Sequence, residues 1–429
     1  MPVGHVRESV GAGTPASGMQ SPGMAAAASM TGHDAVAPLR LLTFSSLFPN
    51  AARPNHGVFV ENRLRHLVAS GAATSTVVAP VPWFPSTAPR FGDWARHALA
   101  PQAEQRNGLT VLHPRYPVVP RVGMLIAPWL MFRALLPVVR ALHARERFDA
   151  IDAHYLYPDG VAAVWVGQRL GLPVVVTARG TDVTLIPRYA VPRRLIQGAI
   201  RGSAALISVS AALKDALIAL GAPPDKVTVL RNGVDTTLFR PPDDRDAARR
   251  ALGLTGPTLI SVGLLIERKG HHHVIEAMRA LPGFALLIVG EGPEQARLAG
   301  MIAQYGLSDR VRLLGPRPHA ELPALYGAAD ALVLASSREG WANVLLESMA
   351  CGTPVVASNI PGNPEVVREP AAGVVVAANT PDGIAAAVRG MFAALPARAA
   401  TRAYAAQFGW EDTTAGQIAI FRRVAAGRP

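Results

Sequence analysis

Short apolar runs alternate with segments of helical periodicity along the first half of the chain. Within residues 58–68, Val60, Leu64, Leu67 and Val68 recur at helical spacing, which predicts an amphipathic helix. The apolar runs predict strands, which we place at residues 39–44, 76–79, 110–113, 150–153, 174–177, 205–209 and 226–230. Such alternation is typical of a parallel sheet covered by helices on both faces.

The pattern breaks at residues 240–246, where prolines and charged residues predict a linker, and then starts again. Beyond the break we place strands at residues 258–262, 285–289, 311–314, 331–334, 354–357 and 373–376. Helical periodicity fits residues 274–280, 294–305, 321–327, 343–350 and 382–393. The sequence therefore predicts an α/β protein of two doubly wound domains, with ligands bound in a cleft outside the carboxyl ends of the strands.

Composition narrows the class of protein. The chain has 429 residues, of which 50% are hydrophobic and 17% charged, and this excludes a largely disordered chain. Its single cysteine, Cys351, excludes an intramolecular disulfide and fits a reducing compartment, so we expect a cytoplasmic protein. Residues 1–37 are rich in small residues and lack the apolar stretch of a signal peptide, so we expect them to be disordered.

The net charge of +12 favours an anionic partner, such as a nucleotide diphosphate, an anionic lipid or a nucleic acid. We find no nucleic-acid-binding motif, so we expect no nucleic-acid partner. The longest apolar run, residues 122–132, falls short of the ~20 residues of a spanning helix, so no membrane span is predicted. Residues 121–147 mix apolar side chains with arginines, which suits either a membrane interface or a helix packed on its own domain.

The most informative segment lies late in the chain, where Glu339 precedes a predicted helix and Glu347 lies two turns inside it. The unpaired amides at such a helix N-terminus suit a phosphate. With its flanks, this segment resembles the Glu-x7-Glu motif of retaining glycosyltransferases of the GT-B fold, in family 4. A second run, Arg268-Lys269-Gly270 after a strand that ends near Gly263, resembles the glycine–cation loop of the same family, although Leu264 stands where an arginine is usual.

The resemblance implies roles for these residues. Glu347 would hold the ribose hydroxyls of a nucleotide sugar, and Glu339 would contact its sugar or phosphate. Lys269 and Arg268 would meet the diphosphate, so that no metal or other cofactor is needed. Further donor-binding positions implied by the resemblance are Gly263, Gly290, Gly292, Asn343, Val344, Leu345 and Gly57.

The first domain would supply the acceptor side. Thr177-Ala178-Arg179-Gly180-Thr181-Asp182 resembles the family's His-Gly-x-Asp loop, with Arg179 in place of the histidine. This makes Arg179 and Asp182 candidates on the acceptor side, and Arg179 suits a phosphate or an acidic group. His154, which follows a predicted strand, is a candidate for the cleft as a catalytic residue. Asn232-Gly233 is interpreted as a tight structural turn.

Metal sites are not predicted. Asp244 and Asp246 have metal-motif spacing but lie in the linker. The consecutive His271, His272 and His273 point about 100° apart on a helix, so they do not converge on one ion.

We expect a disordered segment over residues 1–37, an acceptor domain over 38–235 joined by a C-terminal helix at 411–427, and a donor domain over 236–410. The expected activity is retaining transfer from a nucleotide diphosphate sugar to a glycan or lipid-linked acceptor in surface polysaccharide biosynthesis, with peripheral association at the cytoplasmic face of the membrane. A nucleotide-sugar 2-epimerase and a non-catalytic GT-B protein that binds sugar nucleotides are the alternatives.

Overall fold

The structure, a computed structural model, describes residues 37–119 and 122–427. The expectation of disorder over residues 1–37 therefore falls almost wholly outside the described residues. The elements of the first half are, in chain order, β1 (Leu39–Phe44), α1 (Val58–Ala69), β2 (Ala73–Val78), β3 (Val81–Pro82), α2 (Asp93–Leu99), β4 (Ala103–Arg106), β5 (Leu109–Leu112), β6 (Arg115–Tyr116), α3 (Gly123–Glu146), β7 (Ala150–His154), α4 (Val161–Leu170), β8 (Val174–Ala178), α5 (Thr181–Thr184), α6 (Ala190–Gly202), β9 (Ala205–Ser208), α7 (Ala211–Ala219) and β10 (Val227–Val229).

The second half contains α8 (Arg245–Ala251), β11 (Thr258–Val262), α9 (His271–Ala277), β12 (Ala285–Val289), α10 (Gln295–Gln304), β13 (Val311–Leu313), α11 (Leu322–Ala328), β14 (Ala331–Leu334), α12 (Asn343–Ala350), β15 (Val355–Ala357), α13 (Asn363–Val366), β16 (Gly373–Val375), α14 (Pro381–Ala393), α15 (Arg398–Ala405) and α16 (Glu411–Ala426). Short 3₁₀ turns, including Glu267–Lys269, connect several of these elements.

Each half is built on its own sheet. The first sheet has the order β10-β9-β8-β7-β1-β2-β5-β4, in which only the β4–β5 pair is antiparallel, and β3 pairs separately with β6. The second sheet, β13-β12-β11-β14-β15-β16, is parallel throughout. Parallel strands covered on both faces are apolar along their whole length, as in β8 and β11, whose residues are all buried. The predicted doubly wound α/β architecture is confirmed.

The last helix packs on the first sheet although it follows the second one in sequence. Ile420 and Phe421 of α16 lie in the same apolar cluster as Leu41 of β1 and Leu64 of α1. The chain therefore crosses between the halves twice.

Helix α3 differs from expectation. By length and composition alone it could cross a membrane, in contrast to the prediction that no stretch resembles a membrane span. The apolar run ends at Arg133, but the helix continues through this residue to Glu146. Met131 and Leu135 are fully buried in the first half, whereas Trp129 is 53% exposed, so one face packs and the other meets solvent.

Candidate active site

A cavity of about 530 Å³ lies where the carboxyl ends of the two sets of strands face each other. Gly57 and Arg179 line it from the first half, and Lys269, Glu339 and Glu347 line it from the second. The sequence-predicted Arg268, Gly263, Gly290, Asn343 and Val344 line it as well. Open parallel α/β sheets bind ligands at this edge, so the cavity is the candidate active site.

Glu339 and two cations form a compact charged group in this cavity. Lys269 Nζ lies 2.7 Å from Glu339 Oε1, and Arg268 Nη1 lies 3.6 Å from Glu339 Oε2. Ser336 donates its hydroxyl to Glu339 Oε1 at 2.7 Å. Burial acts to raise the pKa of Glu339, but the charges and hydrogen bonds of these neighbours outweigh it and lower that pKa. The carboxylate is therefore ionised at neutral pH.

Glu347 is held from two sides. Tyr326 donates its hydroxyl to Glu347 Oε2 at 3.0 Å, and His319 Nε2 lies 3.4 Å from Oε1. Each carboxylate oxygen has a second lone pair, so Glu347 can still accept hydrogen bonds from a bound diol. Tyr326 and His319 were not singled out from the sequence, because neither lies in a recognisable motif.

The first turn of α12 brings backbone amides to the same place. Asn343 and Val344 line the cavity, and N–H groups in the first turn of a helix have no partner within that helix. Leu345 does not line it: its side chain is fully buried in the core and its N–H is donated to the carbonyl of Ala342 at 3.0 Å. The expectation that Leu345 contacts the donor is therefore not supported by its position.

Two glycines let backbone segments approach closely around the cavity. Gly290 has φ 151°, and a Cβ there would strike the carbonyl of Gly263. Gly57 has φ 73°, and a Cβ there would strike the carbonyl of Leu47. Gly292 lies beside the cavity rather than on its wall, since its free side is closed by the backbone of Leu265.

His154 is not placed as expected. It is fully buried, does not line the cavity, and accepts at Nδ1 from Arg179 Nη2 over 2.7 Å. An arginine only donates, so the His154 proton lies on Nε2, which faces Asp152 Oδ2 at 3.2 Å. Burial lowers the pKa of His154, which keeps the ring neutral and able to accept. His154 therefore orients Arg179 and has no direct access to a ligand.

Asp182 also lies behind the cavity wall. Its buried carboxylate accepts from the backbone N–H groups of Leu156, Arg179 and Gly180 at 2.7–3.2 Å, which fixes the loop that carries Arg179. Burial lowers the pKa of Arg179 to about 9, so the guanidinium remains a cation at neutral pH.

Asn232 was interpreted from sequence only as part of a turn, but it joins the two halves. Its Oδ1 accepts from Arg179 Nη1 at 3.2 Å, and its Nδ2 donates to Asn343 Oδ1 at 3.2 Å. Its carbonyl accepts from Trp341 Nε1 at 3.1 Å. The Asn-Gly pair is typical of a tight turn, and the sequence therefore did not indicate that the Asn232 side chain bonds to both halves.

Within residues 37–119 and 122–427, no cluster of three His, Cys, Asp or Glu side chains is arranged to hold a metal ion.

Comparison with protein families gives two matches. The model described as Glycosyltransferase Family 4 matches residues 57–238, and the one described as Glycosyl transferases group 1 matches residues 243–408. Together they cover both halves of the cavity.

Curated relatives include D-inositol 3-phosphate glycosyltransferases. The one from Mycobacterium marinum is 30% identical over 310 residues, 66% of this chain and 65% of the relative. That from Mycobacterium bovis is 31% identical over 310 residues, 66% of this chain and 63% of the relative. The chain thus spans slightly less than two thirds of the length of these relatives.

Solved structures with the same fold include sucrose-phosphate synthase from Thermosynechococcus elongatus, with a TM-score of 0.73 and 21% identity, covering 91% of this chain and 99% of that one. Anabaena HepE in complex with UDP-glucose has a TM-score of 0.67 and 22% identity, covering 89% of this chain and 98% of that one. At these identities the likeness establishes the fold.

Proposed function

The chain belongs to glycosyltransferase family 4, its second half matches the glycosyl transferases group 1 model, and its fold is GT-B; we propose that it transfers a sugar from a nucleotide diphosphate sugar. The observation that carries the proposal is the meeting of Lys269, Arg268, the N-terminus of α12 and Glu347 in one cavity. These are the groups that a diphosphate and a ribose require. HepE, which shares the fold, was solved with UDP-glucose.

The donor is bound by complementary charge and hydrogen bonding. The two cations and the first-turn amides of α12 stabilise the diphosphate, whose negative charge grows as the sugar leaves. Glu347, already oriented by Tyr326, accepts both hydroxyls of the ribose diol. These groups supply the charge stabilisation that a divalent metal provides in other transferases, so we propose a metal-independent reaction.

We propose that configuration is retained. The acceptor hydroxyl attacks the anomeric carbon on the face from which the diphosphate departs. The bond between the anomeric carbon and the diphosphate oxygen breaks, and the hydroxyl proton passes to that departing oxygen. This route needs no side-chain base. That suits a cavity in which Arg179 stands where the family has a histidine, and in which His154 lies behind Arg179.

The acceptor is proposed to be a glycan or a lipid-linked sugar of a surface polysaccharide, presented at the cytoplasmic face of a membrane. Residues 81–147 contain nine arginines and three carboxylates. The segments that carry α2 and α3 follow β2 and β5 of the first sheet, and Arg96 of α2 lies 3.6 Å from Glu291, which lines the cavity. Exposed Trp83, Phe91, Trp94, Leu125 and Trp129, which we call the apolar rim, lie in these segments. Apolar side chains among cations suit an anionic bilayer.

The test is turnover of a panel of UDP-, GDP- and ADP-sugars with a set of acceptors. Lys269→Ala and Glu347→Ala should each abolish transfer while the protein stays folded, as circular dichroism would show. Arg250→Ala and Asp243→Ala are matched controls, because these charges are 71% and 85% exposed and neither residue lines the cavity. Transfer by Lys269→Ala or Glu347→Ala at the parent's rate contradicts the proposal.

Two other outcomes identify the alternatives. Conversion of the donor with no acceptor present indicates a nucleotide-sugar 2-epimerase. Donor binding with no turnover across the panel indicates a binding protein.

A further inference from the structure

The cations that would receive the diphosphate are already engaged with an acid. Glu339 accepts from Lys269 at 2.7 Å and faces Arg268 at 3.6 Å, and its side chain is only 9% exposed. Lys269 is 15% exposed and Arg268 28%, so water screens these charges little. A phosphate that reaches Lys269 therefore comes close to a fixed negative charge.

Glu339 is fixed in this position by more than the cations. Ser336 donates to the same oxygen as Lys269, and Gly340, the next residue, lies against the carbonyl of Arg179 in the opposite half. The carboxylate is thus held in place when an anion arrives, and it repels that anion at short range.

The repulsion acts unequally on donor and product. The diphosphate of a nucleotide sugar carries two negative charges, because one terminal oxygen is esterified by the sugar. After transfer that oxygen is free, and it ionises with a pKa of about 6, as in phosphate monoesters. The released nucleoside diphosphate is therefore close to three negative charges at neutral pH, and it is repelled more strongly than the donor.

We propose that Glu339 is an internal counter-ion that competes with phosphate for Lys269 and Arg268 and so favours release of the nucleoside diphosphate. This inference rests on the proposed function for the identity of the product. The competition itself concerns any diphosphate in the cavity.

The test is calorimetric titration of the full chain with inorganic pyrophosphate, UDP and UDP-glucose. Glu339→Gln keeps the size of the side chain and an oxygen for Lys269 and Ser336, but removes the charge. We expect pyrophosphate and UDP to bind about tenfold more tightly to this variant, with a smaller gain for UDP-glucose. Ser336→Ala, which leaves the charge in place, should give no gain.

Stability provides a second readout. Glu339→Gln leaves two cations facing a neutral amide, so its thermal unfolding midpoint should be lower than that of the parent. Pyrophosphate should then raise the midpoint of the variant by more degrees than it raises the midpoint of the parent. Should Glu339→Gln fail to fold, Glu339→Ser removes the same charge from a smaller side chain and carries the same expectation.

Equal or weaker pyrophosphate binding by the neutral variants overturns the inference, because Glu339 then positions the cations instead of competing for them. Failure of the proposed function looks different. In that case UDP and UDP-glucose do not bind the parent or any variant, while pyrophosphate still binds more tightly to Glu339→Gln than to the parent.

Discussion

Glu347 shows at the scale of single residues how the site is pre-organised. His319 lies 3.4 Å from its carboxylate and makes an edge-to-face contact with Phe239, 5.0 Å between ring centroids. Burial acts to lower the pKa of His319, but the hydrogen bond and charge of Glu347 outweigh it, helped by Asp235 and Glu61, so that pKa is raised. The protonated ring is the form that holds Glu347 most firmly.

The sign of the resulting pH dependence follows from that shift. A raised pKa means that the contribution of protonated His319 is fully present below its ordinary value of 6.5 and is lost as the pH rises through the raised value. We expect the affinity for UDP to fall by roughly threefold to tenfold over this range, because Glu347 is then held by a neutral instead of a charged hydrogen bond.

Calorimetric titrations of UDP at increasing pH measure this dependence. The ligand's own ionisation is common to parent and variant, so His319→Gln isolates the contribution of the histidine and should flatten the curve. The same slope in parent and variant contradicts the role given to His319.

The sequence located Lys269 and Glu339 because both lie in turns that follow a strand, and it located Glu347 because this residue completes the Glu-x7-Glu motif within the following helix. It misplaced His154, since a residue that ends a strand can face either the cleft or the neighbouring loop. His154 faces Arg179 because Asp152, two residues earlier in β7, supplies a partner behind it. No pattern in one sequence distinguishes these two directions.

At the level of elements, the backbones of the two halves meet where the segment before α12 packs against the loop before α5. A Cβ added at Gly340 would strike the carbonyl of Arg179 and lie close to Gly180. Only a glycine allows this approach, and it sets the position of Glu339 and of the first turn of α12.

Gly340→Ala should therefore destabilise the protein by about 1–3 kcal/mol, because the added methyl group overpacks a backbone contact, and should reduce transfer strongly. Gly300→Ala in α10 is the matched control, since nothing lies within 4 Å of a Cβ there. This control should stabilise by about 0.5–1 kcal/mol through its effect on helix formation. Chemical denaturation measures both, and equal effects of the two variants would show that the close contact is unimportant.

Helix α3 presents exposed apolar side chains, including Leu125 and Trp129, on one face. Trp129→Glu places a carboxylate in the middle of its exposed apolar face, beside Arg133, whose guanidinium lies 5.9 Å from the indole ring. We expect flotation with vesicles of phosphatidylglycerol and phosphatidylcholine to be lost, because the variant removes apolar area and adds repulsion from anionic lipid.

Leu395→Glu, at a 41% exposed position of the second half, should float like the parent. Equal flotation of the two variants, or binding to vesicles of phosphatidylcholine alone, contradicts membrane docking through the apolar rim.

The bounds of buried elements were easier to predict from the sequence than those of exposed elements. The bounds of β1, β11, β12, β14 and α12 agree with the sequence prediction, because continuous apolar runs and a helix start mark their ends. Strand β4 was missed because Ala103–Arg106 is a polar edge strand with no buried residue. The two-residue strands β3 and β6 and the short helix α2 gave no periodic signal.

In the molecule as a whole, a carboxylate of the second half forms hydrogen bonds that hold this half against the first. Glu365 of α13 accepts from the N–H groups of Ala211 and Ala212 at the start of α7, at 2.9 and 3.0 Å. Arg231 Nη2 donates to the same carboxylate at 2.6 Å. Burial acts to raise the pKa of Glu365, but these partners outweigh it and lower that pKa.

Glu365→Ala should cost about 1–3 kcal/mol of stability, since it removes charge-assisted hydrogen bonds at a helix N-terminus. It should also enlarge the radius of gyration measured by small-angle scattering, because the halves separate more easily. Exposed Glu321→Ala, whose side chain is 54% exposed, is the control. An unchanged radius in Glu365→Ala contradicts the closing role.

The cleft itself was predictable, because the topology of parallel sheets places ligands at one edge. The contacts across it were not. Arg231 and Glu365 are 134 residues apart, and Asn232 and Asn343 are 111 apart, so neither pair shares a local pattern. The sequence predicted the two halves that line the cleft, but not the hydrogen bonds that join them.

Donor binding in the cavity is tested best by a crystal structure with the nucleoside diphosphate that most raises the thermal unfolding midpoint. We expect phosphate oxygens within hydrogen-bond distance of Lys269 and the first-turn amides of α12, with the ribose hydroxyls on Glu347. A nucleotide bound elsewhere, or bound here with its phosphates turned away from Lys269, would contradict this expectation.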